Sequence, residues 1–475
     1  MAQSDRLVSS QTSVPTSSDG LQKSLGLLDA TTIVMGSMIG SGVFIVAADI
    51  SRQVASPGLM MMTWVITALL TLTAALSYGE LAAAMPHAGG QYVYLREAYG
   101  PLYGFLYGWT LFLVIQTGTI AAVAVAFAKF TGVFFPFFAA SNIVFSLGPL
   151  KVNTQQLLGI AVLVFLSWVN SRGVRLGALI QNIFTVAKTG ALLGLVALGI
   201  AVGKNQEALS ANFDDFWAGA DWSWTTIRIV GVAMVGALFS SDAWNNVTFT
   251  AGETRNPKRN LPLSLALGVG IVSVLYIACN FVYLMVLPLA SIQTAPEDRV
   301  ATAAASAILG PVAVQVMAVA IMISTFGCMN GMILAGARVY YAMALDGLFF
   351  RSVARVHPER HTPNVSLAVQ CVWACLLTLS GTYSDLLDYV IFAVLLFYVL
   401  TIAGIFRLRS TRPELERPYR AFGYPLLPLL YMLAAGLIEA LLLLYKPSYT
   451  WPGLIIVLLG IPVYLLWRKK SEVSA

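Results

Sequence analysis

Gly36-Ser37-Met38-Ile39-Gly40-Ser41-Gly42 lies in the middle of one apolar run, and Phe239-Ser240-Ser241-Asp242-Ala243-Trp244-Asn245-Asn246 lies in the middle of another. Three glycines in seven residues make a poor helix interior. A run of Ser, Asp and Asn favours side-chain-to-backbone bonds over helix. Both apolar runs are therefore expected to be helices broken near their centres. The breaks are about 200 residues apart.

The surroundings decide what such helices cross. The chain has 475 residues, 58% hydrophobic and 11% charged, with a mean hydropathy of +0.78. A soluble domain carries about 25% charged residues, and a single core stops growing at roughly 250–300 residues. This excludes a soluble enzyme and a disordered chain. The strands of an outer-membrane barrel alternate apolar and polar residues, and that pattern is absent here. The composition points to an all-α integral membrane protein in a lipid bilayer. The net charge of +6 carries no sign of a nucleic-acid partner.

A span needs roughly 17–25 apolar residues. Twelve transmembrane helices are expected, at 28–51, 59–84, 100–128, 155–170, 177–203, 226–251, 261–290, 303–340, 365–382, 384–407, 424–445 and 449–467. With the N-terminus in the cytoplasm, cytoplasmic segments hold 20 of the 28 Lys and Arg, among them Arg96, Arg255, Arg338, Arg407 and Arg412. The other side holds 7, and Lys188 stays inside a span. This agrees with the positive-inside rule and places both termini in the cytoplasm. Residues 1–24, rich in Ser, Thr and Gln, read as a disordered tail rather than a cleaved signal peptide. His87, His357 and His361 fall in cytoplasmic loops.

The broken spans are the first of two sets of five. Because five is odd, span six enters from the opposite side to span one, the layout of an inverted repeat. The expected divisions are 25–215, 216–410 and a peripheral pair of helices in 411–475. Broken helices in matching positions point to a transporter site. A break frees backbone groups that the bilayer core cannot satisfy. Half-helix N-termini suit a carboxylate and half-helix C-termini an ammonium. Together they fit a zwitterion. Gly36 and Gly40 also form a small-xxx-small pair, which serves close helix packing.

Two charges lie near mid-membrane. Lys188 is 11 residues past Gly177, about 16 Å along a helix, and Asp242 is central in span six. Such groups are functional by default. Lys188 can bond freed carbonyls, pair with Asp242, stand where a sodium ion would otherwise sit, or take part in proton coupling. Asp242 has three open roles, namely pairing with Lys188, contacting a cationic substrate side chain, or capping the second half of span six through Asn245 or Asn246 N–H. Cys279, Cys328, Cys371 and Cys375 all lie in apolar stretches. No metal site or cofactor is expected from them.

Four stretches carry a family resemblance. Gly36-Ser-Met-Ile-Gly-Ser-Gly-Val-Phe44 resembles the first-helix motif of the amino acid–polyamine–organocation superfamily. The segment from Tyr78-Gly-Glu-Leu-Ala to Glu97-Ala-Tyr-Gly100 resembles its next loop motif. Gly252-Glu-Thr-Arg-Asn-Pro-Lys-Arg-Asn-Leu-Pro262 and Arg338-Val-Tyr-Tyr-Ala-Met-Ala-Leu-Asp-Gly347 resemble the stretches after spans six and eight. Within the superfamily the chain is most similar to the L-type amino acid transporter family, partly through Lys188. The resemblance implies a LeuT-like five-plus-five core. It implies that the backbone of Met38, Ile39, Gly40, Ser41 and Gly42 holds a substrate carboxylate, while carbonyls near Ile39 and at Phe239, Ser240 and Asp242 hold an α-amino group. Ser241 belongs to the same turn, and Phe239 would gate the site. Lys188 would replace sodium, leaving sodium-independent exchange or proton-linked uptake. Animal members pair with a glycoprotein through a cysteine in the loop after span three. Here 129–154 contains no Cys, so no disulfide-linked heavy subunit is expected.

The expected function is thus a secondary active amino acid permease of the plasma membrane, with a polyamine or other organic-amine permease as the alternative. An intramembrane enzyme would need a nucleophile–base pair, paired carboxylates or a metal cluster at one depth, and Lys188 and Asp242 supply none of these. No filter loop or ring of like charges suggests a channel. No GxxxxGK[ST] motif suggests ATP drive.

Overall fold

The computed structural model describes residues 21–147, 150–380 and 383–473. The expected tail falls mostly outside these residues. Its last part does not hang free, since Leu21 and Ser24 are buried.

The helices in chain order are α1 (Leu27–Met38), α2 (Gly42–Val54), α3 (Pro57–Ala84), α4 (Gln91–Tyr99), α5 (Pro101–Thr110), α6 (Gln116–Thr131), α7 (Thr154–Ser171), α8 (Val174–Ala201), α9 (Gln206–Phe213), α10 (Trp224–Ser240), α11 (Asn246–Phe249), α12 (Pro257–Val286), α13 (Leu289–Gln293), α14 (Val300–Leu309), α15 (Ala313–Leu345), α16 (Asn364–Ser380), α17 (Tyr383–Thr411), α18 (Leu426–Tyr445) and α19 (Pro447–Val473). Among the described residues nine helices are long and apolar enough to cross a bilayer, or ten when α1 and α2 count as one bent span. The other two expected spans correspond to α10 and α16, apolar helices of 17 residues each. The class is multi-pass and helical, with nine or ten spans by length and hydropathy among the described residues.

Both expected breaks are present. α1 stops at Ile39, whose backbone is extended (φ −76°, ψ 92°), and α2 resumes after Ser41. The two halves are bent by 41°. α10 stops at Ser240, and a non-helical turn through Asp242 and Ala243 (φ +63°) leads to α11. α1 packs against α8, α12 and α15, and α2 packs against α10. The first half of span one is thus walled by spans five, seven and eight.

Two local features lie outside the sequence reading. The loop after span three carries an antiparallel hairpin, β1 (Ile143–Leu147) and β2 (Leu150–Asn153), with Phe145 opposite Val152. Span three contains a π-turn at Leu111–Ile115 between α5 and α6, where the Thr117 hydroxyl donates 2.6 Å back to Phe112 O.

Arg338 was expected in a cytoplasmic segment. It is fully buried within α15 and grips Glu253 with two hydrogen bonds, of 2.8 and 3.0 Å. Glu253 holds a second partner through its backbone, since its carbonyl accepts from Ser24 N and Leu25 N at 2.9 and 3.0 Å. Arg255 N donates to Leu25 O at 2.8 Å. The entry to α1 is thereby stitched to the segment after span six. At the same arginine-rich end, Arg409 holds the buried Glu80 carboxylate at 2.9 and 2.6 Å, and Ala421 N donates to it at 2.7 Å.

Candidate functional site

Breaking span one frees the carbonyls of residues 36–40, and each finds a donor. The Lys188 ammonium, brought by α8 and fully buried, donates to Gly36 O and to Ile39 O at 2.6 Å each, and to Ser324 O at 3.3 Å. The Cys328 thiol donates to Ser37 O at 3.1 Å. Ser324 Oγ lies 2.7 Å from Gly40 O and 3.2 Å from Ile39 O. Tyr276 OH, from α12, lies 3.0 Å from Met38 O. An unpartnered carbonyl in a low-dielectric core costs several kcal/mol. These side chains remove that cost and hold the break open.

Tyr276 also joins the two breaks. Its hydroxyl is 3.1 Å from Ser240 O, and its single proton is shared between the end of α1 and the end of α10. Gly42 brings the same two regions into backbone contact. A Cβ placed on Gly42 would come 3.0 Å from Ser240 Cα and closer still to the Ser240 side chain. Gly36 and Gly40 serve close packing as well. A Cβ at Gly36 would collide with Gln181 and Thr185, and one at Gly40 would lie 3.3 Å from Cys328 Sγ. The packing reading of these two glycines holds alongside the break.

Met38, Ile39, Gly40, Ser41, Gly42 and Ser240 thus come together around Tyr276. Phe239 is half-buried beside them. At the start of α2, Phe44 N donates to Ser41 O at 3.1 Å, and the helix start is the positive end of the candidate site.

Ser241 and Asp242 lie toward α17. Asp242 Oδ1 accepts a 2.6 Å hydrogen bond from Tyr398 OH. This replaces two of the roles left open by the sequence. The start of α11 has no side-chain cap, and Lys188 spends its hydrogen bonds on carbonyls. Cavities flank Asp242 on two sides. One is bounded by Tyr107, Gln116 and Asn246, the other by Thr71, Trp244 and Tyr431. In the wall of the first, Asn245 Nδ2 donates to Gln91 Oε1 at 2.7 Å, and Gln91 Nε2 donates to Thr401 at 3.0 Å.

Sequence reasoning missed Tyr276, Ser324, Cys328 and Tyr398. Ser324 and Cys328 are spaced i, i+4 on one helix face, a faint signal. A single Tyr in an apolar span gives none. Among the described residues no cluster of three His, Cys, Asp or Glu could hold a metal ion.

The amino acid permease family model matches residues 25–465. The chain belongs to the amino acid permease family. This permease is 30% identical over 464 residues to mouse "Large neutral amino acids transporter small subunit 2", covering 95% of this chain and 83% of the relative. It is 30% identical over 448 residues to human "b(0,+)-type amino acid transporter 1", covering 94% and 88%. It is 29% identical over 460 residues to the "Serine/threonine exchanger SteT" of Bacillus subtilis (strain 168), covering 96% and 99%. The relatives are amino acid transporters, exchangers among them. The resemblance noted in the sequence holds for nearly the whole permease, and an amino acid transport function fits it.

Proposed function

We propose that the permease exchanges amino acids across the plasma membrane without sodium, using the paired breaks as its substrate site. The observation that carries this reading is the Lys188 ammonium, 2.6 Å from both Gly36 O and Ile39 O. A fixed cation already bonds the carbonyls that a sodium ion would need. The substrate carboxylate meets the N–H groups of Gly40, Ser41 and Gly42 at the start of α2, where the helix dipole favours an anion. The α-amino group meets carbonyls at the end of α10, at Phe239 and Ser240, with Met38, Ile39, Ser241 and Asp242 completing the wall. The Phe239 ring covers the bound substrate. Residues 25–215 and 216–410 act as inverted halves, and access alternates as the half-helices rock about Tyr276. Both termini face the cytoplasm, in accord with the arginine bias. The loop 129–154 lacks a cysteine, so the permease works without a disulfide-linked heavy subunit.

The test is counterflow in proteoliposomes. Unlabelled amino acid trapped inside is expected to accelerate entry of labelled amino acid several-fold over empty vesicles. Equal entry into loaded and empty vesicles would exclude exchange.

A further inference from the structure

At the arginine-rich end, α4 and α5 meet the last turns of α17 around an open cavity of about 630 Å³. Arg96, Arg407 and Arg412 line it, with Tyr99, Gly100 and Thr411. Glu97 is the carboxylate in the wall, and both of its oxygens are taken. Arg96 Nη2 lies 2.9 Å from Oε1, and Arg412 Nη1 lies 2.6 Å from Oε2. Arg96 is further held by Asp346. Arg407 has no carboxylate within ion-pair distance among the described residues. Its guanidinium lies over the Tyr99 ring, 5.6 Å from the centroid. Three guanidinium groups therefore face two carboxylates, and the surplus charge sits on Arg407.

α19 packs against α5 and α17. Trp467 Nε1 donates to Gly347 O at 3.1 Å, next to the Asp346 that holds Arg96. The cavity opens where α5 begins and α17 ends, at the edge of two spans. At Gly100 (φ +104°) an added Cβ would meet no atom within 4 Å, so the wall is open there. Tyr103, one turn into α5 and 39% exposed, stands beside Tyr99 with ring centroids 5.2 Å apart.

We infer that this cavity binds the phosphate of an anionic phospholipid headgroup, with Arg407 as its main cation. Guanidinium groups match phosphate oxygens two at a time, and basic pockets between spans at the membrane edge take such headgroups. The cavity lies at the ends of two membrane spans, where a lipid headgroup sits beside its own acyl chains and a soluble phosphate has no such anchor. This separates the two sources of the same chemistry.

The experiment uses the full-length permease in neutral detergent, titrated with short-chain phosphatidylglycerol, phosphatidylcholine of equal chain length, or glycerol phosphate. Phosphatidylglycerol is expected to bind, and the other two are not. Arg407→Gln weakens binding about tenfold, the loss of one charge-assisted pair. Arg407→Lys recovers part of it, and Arg412→Gln shifts it in the same direction by less. Lys129→Gln, which removes an exposed ion pair between the last turn of α6 and Glu297, leaves it unchanged and serves as the control. Amino acid counterflow by Arg407→Gln reports that the variant is folded. Equal binding of phosphatidylglycerol to wild type and Arg407→Gln overturns the site. Equal binding of phosphatidylcholine overturns its charge selectivity, and equal binding of glycerol phosphate overturns its assignment to a lipid.

Discussion

Tyr398 OH donates a 2.6 Å hydrogen bond to Asp242 Oδ1, tying α17 to the unwound turn after α10. That hydroxyl and the Ala243 backbone N–H are neutral donors and do not balance a carboxylate at mid-membrane depth, and no cation is paired with it among the described residues. A buried anion without a cation is costly, and a cationic substrate side chain in the flanking cavity would relieve the cost. Asp242→Asn, which keeps an acceptor for Tyr398, is expected to lower the ratio of cationic to neutral amino acid uptake about tenfold. Competition by arginine against a neutral amino acid measures the ratio. An unchanged ratio means that the carboxylate does not face the substrate.

The contact between Gly42 and Ser240 gives a prediction with its own rescue. Gly42→Ala drives a methyl group into Ser240, so counterflow is expected to fall below a tenth of wild type, since overpacking costs about 1–3 kcal/mol. Gly42→Ala/Ser240→Gly, which removes most of the clash, recovers part of the rate. Failure of the double variant, with normal yield and gel-filtration profile, would show that the clash with Ser240 is not what disables Gly42→Ala.

Tyr276 is expected to couple the two breaks. Tyr276→Phe removes the hydroxyl shared by Met38 O and Ser240 O and leaves buried acceptors without that donor, at a stability cost of about 1–3 kcal/mol. The maximal exchange rate drops by more than the fall in melting temperature and folded yield accounts for. Wild-type exchange by this variant would show that the link is dispensable.

The buried Arg338–Glu253 pair and the exposed Lys258–Glu416 pair make a matched comparison. Arg338→Met leaves Glu253 buried and unpaired, at about 3–5 kcal/mol. Lys258→Met breaks an ion pair whose side chains are 52% and 72% exposed, worth about 0–1 kcal/mol. Denaturant unfolding in micelles is expected to separate the two variants clearly. Similar losses would argue that Arg338 is solvated.

The sequence made the breaks legible because Gly36–Gly42 and Ser240–Asn246 conflict with helix inside apolar runs. Lys188 was legible because an ammonium at that depth needs a reason. The groups that complete the site were not. Tyr276 and Tyr398 look like ordinary apolar-face aromatics until tertiary packing brings their hydroxyls to the breaks. Arg338 was counted with loop charges because its buried partner, Glu253, is 85 residues away in sequence. Asp242 was read by its local neighbours, which suggested a cap, whereas a residue on span ten had the stronger claim. The hairpin at 143–153 gave too short an alternation to stand out beside the spans.

The most direct measurement is initial amino acid exchange in proteoliposomes with all sodium replaced by choline, for wild type and Lys188→Ala. The expected result is wild-type exchange at the same rate in both salts, and loss of most exchange in Lys188→Ala, whose Gly36 and Ile39 carbonyls lose the ammonium that holds them. Collapse of wild-type exchange in choline would contradict the claim that Lys188 stands in place of sodium.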